Sequence, residues 1–238
     1  MLPRFYLHNL VIQNDLVNIN DSQVIYQITK ILRLKIGDTF IVFDTHYEYQ
    51  ILIENITKDG LTGKIIEKTK SEREPAKKLI LYQSLLKSDK LEWILQKGVE
   101  IGAAEFTPII SDNCVVREIS ENKLARYEKI IREATEQCGG LKVANLNQVT
   151  TFKQAVDQAR NVKGQKLLAW EGEKGHELNK ILNNKQKEYH LFIGPESGFS
   201  PEEVKLAKQS DIQIVSLGKR ILRAETAAIV ASSLILLN

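Results

Sequence analysis

Cysteine is almost missing from this chain. Its 238 residues hold two, Cys114 and Cys138, far apart and without a CxxC spacing. Neither a disulfide framework nor a zinc knuckle is therefore expected, and both read as small buried thiols. Long apolar runs are missing too: none approaches the roughly 20 residues a membrane span requires. The opening MLPRFYLHNL lacks the cationic start, apolar centre and small-residue cleavage site of a signal peptide. A soluble cytoplasmic protein with no membrane partner is expected. No GxGxxG follows a strand, and neither a P-loop glycine-lysine motif nor HExxH occurs, which argues against dinucleotide oxidoreductases, P-loop nucleotide hydrolases and zinc proteases. His8, His46, His176 and His190 are dispersed, so no metal site is expected. Ser197 is not a nucleophile elbow, because Pro195 stands where that turn needs a glycine.

What is present is ordinary globular composition, 43% hydrophobic and 26% charged, enough for one large or two smaller domains. The net charge of +3 says little about nucleic acid. Up to and including Glu74 the chain carries 9 Lys+Arg against 10 Asp+Glu, and beyond it 24 against 20. Any affinity for nucleic acid must rest on local patches.

The first part, residues 1–72, has short β-type runs: ILRL at Ile31, TFIVF at Thr39, YQILIENI at Tyr49 and LTGKII at Leu61. Turn residues separate them, at Gly37-Asp38, at Asp44 to His46 and at Asp59-Gly60. Closely spaced short strands suggest a small β-barrel or sandwich. The charged, proline-bearing SEREPAKK from Ser71 marks a boundary. Over 73–238, apolar runs (LILYQ at Leu79, FTPII at Phe106, KLLAW at Lys166, YHLFI at Tyr189, IQIVSL at Ile212) alternate with helical spacings. Leu91, Leu95 and Val99 form one such spacing, and Leu124, Tyr127, Ile131 and Ala134 another. This is an α/β pattern, implying a mostly parallel sheet covered on both faces.

Two strand–loop–helix units end the chain. In FIGPESGFSPEEV, a helix start needs only Ser200 as N-cap, Pro201 at the first helical position and Glu203 to complete a capping box. The remaining GPESG puts two glycines and a carboxylate at the C-terminal end of a buried strand, where open parallel sheets bind ligands. A plain turn is the other reading. In LGKRILRAE, Gly218 ends a strand and a helix begins near Ala224 or Glu225. Adjacent strands would set these two loops side by side. Ile221 and Leu222, between the arginines, would turn part of the second loop inward, although a solvated cationic turn fits as well. A third loop, WEGEKGHEL from Trp170, also follows an apolar strand and would border the same pocket, although its two glycines and three carboxylates favour an exposed turn.

IGPESGFSPEEV followed by SLGKRILRAETAAIVA resembles the C-terminal signature of the RsmE family, the 16S ribosomal RNA (uracil-N3)-methyltransferases of the SPOUT superfamily. HNL at His8 and LRLKIGDTFIVFD from Leu32 are similar to that family's N-terminal PUA-like RNA-binding barrel. LLKSDKLEWILQKGVEIGAAEFTPIISDNCVVR from Leu85 and REATEQCGG from Arg132 resemble its methyltransferase domain. The resemblance implies an α/β trefoil-knot domain with an N-terminal PUA-like β-barrel, working as a homodimer on 16S rRNA or the small ribosomal subunit. It implies S-adenosyl-L-methionine as cofactor, held by Leu168, Ala169, Ile193, Gly194, Pro195, Glu196, Gly198, Leu217, Gly218, Arg220, Ile221 and Leu222. Arg223 and Glu225 are the expected catalytic residues: an arginine for phosphate or developing charge, a carboxylate to orient it or take a proton. Glu225 as a carboxylate placed by the helix dipole remains the alternative. Candidate RNA contacts are Arg4, Lys30, Arg33, Lys35, Arg126, Lys129 and Arg132, each otherwise a solvated charge. The apolar helix Ala227 to Leu237 is expected in the knot and dimer interface, or else in a monomer's core. Ser197, Gly140 and Ala144 replace a glycine, an arginine and a proline common in the family, which bears most on RNA affinity at Gly140. A relative acting on another RNA position and a non-catalytic RNA-binding factor are the competing functions.

Overall fold

The computed structural model describes the chain apart from residues 1, 8, 9, 58, 59, 184 and 238. His8 and Asn9 of the HNL stretch, and Asp59 of the Asp59-Gly60 turn, therefore lie outside the described residues. Two compact units are distinguished: Met1–Glu74 with Thr135–Lys142, and Pro75–Ala134 with Val143–Asn238.

The first unit contains β1 (Arg4–Tyr6), β2 (Ile12–Gln13), β3 (Leu16–Ile19), α1 (Ser22–Tyr26), β4 (Thr39–Phe43), β5 (Tyr47–Ile56) and β6 (Leu61–Lys70). They form one six-stranded sheet ordered β1-β4-β5-β6-β3-β2. All its pairs are antiparallel except β1 with β4. Alternation along β4 sends Phe40 and Val42 into a core with Phe5, Val17, Ile19, Ile51, Ile53 and Leu61. Irregular register at Gln50/Ile51 and Ile53/Asn55 bends the long β5–β6 pair, as bulges do.

The ILRL run is not a strand. Asp21 caps α1 by accepting from the N–H groups of Gln23 and Val24, and the helix continues as a π-helical turn, Gln27–Ile31. Val24 and Ile28, four apart, are its buried face. Arg33 then takes φ +56°, which breaks any extended run.

Arg4 shows what holds this unit together. Its Nη2 lies 2.6 Å from Glu48 Oε1, and its Nη1 donates to the carbonyls of Thr135 and Glu136 at 3.3 and 2.9 Å. The guanidinium also stacks 4.4 Å from the centroid of Phe43. Arg73 shares Glu48 at 3.0 Å and donates to the Gly139 carbonyl. Two cations thus satisfy carbonyls at the end of a helix, where the dipole is negative.

The second unit contains β7 (Lys78–Ser84), α2 (Lys90–Ile101), β8 (Glu105–Ile110), α3 (Glu121–Cys138), β9 (Asn145–Leu146), β10 (Thr150–Thr151), α4 (Phe152–Arg160), β11 (Gln165–Ala169), α5 (Leu178–Ile181), β12 (Glu188–Ile193), α6 (Pro201–Gln209), β13 (Gln213–Val215) and α7 (Ala224–Leu236). The last turn of α3, from Thr135, counts with the first unit. The sheet runs β10-β8-β7-β12-β11-β13, with β9 also on β8. Every pair is parallel, as expected of strands joined through helices. One face packs Ile80, Tyr82, Leu168, Phe192 and Ile214 against α4 and α6; Tyr82 and Phe192 stack at 4.3 Å. The other face packs against α7, which also meets α2. Lys77 Nζ donates to the Ile235 carbonyl at 3.0 Å and so closes the C-terminal end of α7. Both cysteines are free thiols, and among the described residues no helix is long and apolar enough to cross a membrane.

Replacing Arg4 by Ala should destabilise the protein by about 3 kcal/mol, because it leaves a buried carboxylate and helix-end carbonyls without their cation. Urea unfolding checks this; a loss below about 1 kcal/mol would show the network to be dispensable.

Candidate functional site

The register of the parallel sheet builds the site. Ala169, the last residue of β11, is paired with Ile193 at the end of β12 and with Val215 at the end of β13. Three strands therefore stop at one height, and the loops that follow enclose a cleft of about 330 Å³. That is within the range of small-molecule sites. β12 and β13 are not neighbours, contrary to the side-by-side expectation; β11 lies between them. The Trp170 loop consequently lines the cleft with Trp170 and Glu171, the less favoured of its two sequence readings.

Of the residues expected to hold a cofactor, Ala169, Ile193, Gly194, Pro195, Glu196, Gly198, Leu217, Gly218, Arg220, Ile221 and Leu222 line this cleft. Leu168 does not: its side chain is fully buried in the sheet core. Leu222 is half-buried, but Ile221 is 83% exposed, so only one of the two apolar residues turns inward. Trp170 and Glu171 come from the loop whose less favoured reading was a border of this pocket, on the signal that it follows an apolar strand; Ser216, which also lines the cleft, was not singled out from the sequence.

Backbone dominates the walls for a steric reason. A Cβ on Gly194 would come within 3.2 Å of the Phe199 nitrogen, and one on Gly198 would overlap the Glu171 carboxylate. Gly198 also has φ +71°, a conformation side chains resist. Gln83, buried on β7, donates to the Gly194 carbonyl at 3.4 Å. Asn113 Nδ2 donates to the Gly198 carbonyl at 3.0 Å. A glycine-lined cleft of this volume, closed by Trp170, Leu217 and Leu222 and carrying Lys219 and Arg220, has the room and the mixed apolar and charged lining for the cofactor that the resemblance implies.

Carboxylates brace the second loop. The expected capping box is present: Ser200 Oγ accepts from the Glu203 N–H and Glu203 accepts from the Ser200 N–H. Glu203 also accepts from the Asp112 N–H at 2.9 Å, and Ser200 Oγ donates to Asp112 at 2.6 Å. Burial raises the Glu203 pKa, with the Asp112 charge adding to it against the opposing hydrogen bonds. Glu196 behaves oppositely. Burial alone would raise it, but its own backbone N–H, Lys90 and the Lys87 N–H together hold it below its usual value.

Arg223 is the N-cap of α7 and is exposed, between the cleft residues Leu222 and Ala224. Glu225, in the first turn, has its Oε2 buried without a hydrogen-bond partner. A buried carboxylate oxygen left unpaired is costly, which suits a group awaiting a donor. Of the residues expected to touch RNA, Lys30, Arg33 and Lys35 are exposed and Arg132 is half-buried. Arg126 is bound through two nitrogens to Glu92, at 2.8 and 2.7 Å, and Lys129 lies 3.7 Å from Glu133. Arg4 must be withdrawn: its side chain is only 4% exposed, and no phosphate can reach it.

A family model described as an RNA methyltransferase domain matches residues 72–236. The chain is 36% identical to ribosomal RNA small subunit methyltransferase E of Mesomycoplasma hyopneumoniae, covering 84% of this chain and 86% of that one. It is 32% identical to the Bacillus subtilis protein of the same name, covering 90% and 87%. Among solved structures, the Neisseria gonorrhoeae ribosomal RNA small subunit methyltransferase E bound to S-adenosyl methionine superposes with TM-score 0.88 at 26% identity, covering 98% and 96%. A Legionella pneumophila putative methyltransferase in complex with the same cofactor gives 0.87 at 29%, covering 99% and 97%.

The two carboxylates should titrate in a fixed order. Glu203, raised, takes up its proton above the ordinary value of 4.5. Its ionised form therefore opposes folding, and protonation relieves it. Glu196, lowered, contributes stability above 4.5 that disappears as pH falls through its folded value. On acidification the amide resonances of Ser200 and Asp112 should move before that of Lys87, and E196Q should abolish the Lys87 movement.

Proposed function

Because the chain belongs to the ribosomal RNA small subunit methyltransferase E family, we propose that it methylates N3 of a uridine near the 3′ end of 16S ribosomal RNA, using S-adenosylmethionine. The observation that carries this reading is the glycine-walled cleft at three level strand ends, with the partnerless oxygen of Glu225 on the helix turn that supplies the lining residues Ala224 and Ala227. Bound in that cleft, S-adenosylmethionine supplies an electrophilic methyl group. All other tasks fall to the chain. Ile193 to Gly198 and Leu217 to Leu222 would hold the cofactor through backbone groups, with Trp170 lining the cleft from the first loop.

Uracil N3 carries a proton that must leave before it can be methylated. Glu225, at the positive end of α7, accepts that proton or the hydrogen bond that orients the base. Arg223, free in solvent beside the cleft, binds the flanking phosphate and balances charge developing on the ring. Lys30, Arg33 and Lys35 reach RNA from residues 1–72, read as a PUA-like barrel, and Arg132 does so from 73–238, read as the SPOUT trefoil-knot domain. The return of the chain from β13, at the sheet edge, to α7 against β7 and β12 supports the knot. A homodimer is part of this reading. Ile229, Val230 and Leu234 of α7 are only half-buried, Leu237 is exposed, and Trp93 on the contacting α2 is 44% exposed, an apolar surface that a second copy would cover. The reading places the protein in the cytoplasm, with its ribosomal substrate, and assigns no metal to the site.

Small ribosomal subunits lacking the modification, incubated with radiolabelled cofactor, should gain one N3-methyluridine. R223A should lower that rate by more than about 100-fold with an unchanged melting temperature. E225Q should do the same. Full activity of both variants would leave the chemistry elsewhere.

A further inference from the structure

Two carboxylates line the cleft, and they differ in what they already bind. Glu196 accepts from Lys90 Nζ at 3.1 Å and from the Lys87 N–H at 3.2 Å, so its oxygens are engaged within the protein. Glu171 has no hydrogen-bond or ion-pair partner among the described residues. Other acids of the same loop are occupied: Glu173 accepts from the Gly175 and His176 N–H groups, at 2.7 and 3.2 Å, and Glu177 pairs with Lys180 at 2.9 Å. Glu171 is itself exposed. Its carboxylate rests on the open face of Gly198, where any Cβ would overlap it, and Gly198 is itself fixed by Asn113. A free carboxylate thus reaches from the loop after β11 to the loop after β12, facing the cleft.

We propose that Glu171 binds the ribose 2′,3′-diol of the nucleoside cofactor, an assignment that rests on the methyl-donor reading of the cleft. Two vicinal hydroxyls match the two oxygens of one carboxylate, and hydrogen bonds to a charged acceptor are stronger than neutral ones. The cofactor's cationic centres are the competing targets. An anion beside the sulfonium would stabilise a charge that methyl transfer removes. It would then favour the starting state over the transition state and slow the reaction. The amino-acid end carries a carboxylate beside its ammonium, and the cleft's own cations, Lys219 and Arg220, lie on a different loop, after β13. That loop suits the zwitterionic end and leaves Glu171 to the sugar.

Calorimetric titration of the full chain and of E171Q with three compounds separates these targets. S-adenosylmethionine has sulfonium, ammonium and ribose; S-adenosylhomocysteine lacks the sulfonium; 5′-methylthioadenosine lacks both charges and keeps the ribose. The proposal expects E171Q to weaken all three by the same factor, about tenfold, with an unchanged melting temperature. Weakening of S-adenosylmethionine alone would assign Glu171 to the sulfonium. Weakening of the first two without the third would assign it to the ammonium. Either result, or unchanged binding of all three, overturns the ribose assignment. Failure of the unmodified chain to bind any of them would instead remove the methyl-donor reading, and this assignment with it.

Discussion

The whole site depends on one constraint, the register that sets Ala169 level with Ile193 and Val215. Parallel strands buried on both faces cannot slip by one residue without exchanging the two faces, so packing against α4 and α6 on one side and α7 on the other locks the register. Three loops must then leave at one height, and their backbones become the walls of a cleft. Core packing, more than any loop residue, decides where a ligand sits.

The division of work follows from that arrangement. Wall positions are glycine where side chains would collide, and charge is supplied from the flanks: acids from the first two loops, cations from the third. Helices α6 and α7 both begin at this end of the sheet, so their unsatisfied N–H groups face the same region. α6 spends its N-terminus on a capping box and on Asp112. α7 has no side-chain cap and keeps its first turn, with Glu225, for other use.

Much of this was legible in the sequence. TFIVF, LILYQ, FTPII and YHLFI are strands because short apolar runs between turn residues have few other uses, and Ser200-Pro201-Glu202-Glu203 starts a helix as its cap chemistry dictates. ILRL misled because aliphatic residues serve a helix end as readily as a strand; the better clue was Asp21 followed by Val24 and Ile28. The order of strands in the sheet has no local signature, which is why the Trp170 loop was favoured as an exposed turn over a border of the cleft. Arg4 looked like a surface cation because its partners, Glu48 and the carbonyls near residue 136, are remote in sequence.

That remoteness has a kinetic side. Arg4 belongs to β1, yet the carbonyl it holds at Thr135 lies 131 residues later. During synthesis the amino-terminal sheet emerges while Glu48 is already available but the helix end is not. The unit must wait, with its arginine paired on one side only, until residues 135 and 136 have left the ribosome. Its completion is therefore timed by translation of the second unit, and a stalled chain ending before residue 135 would carry an unfinished first unit, open to chaperones and proteases.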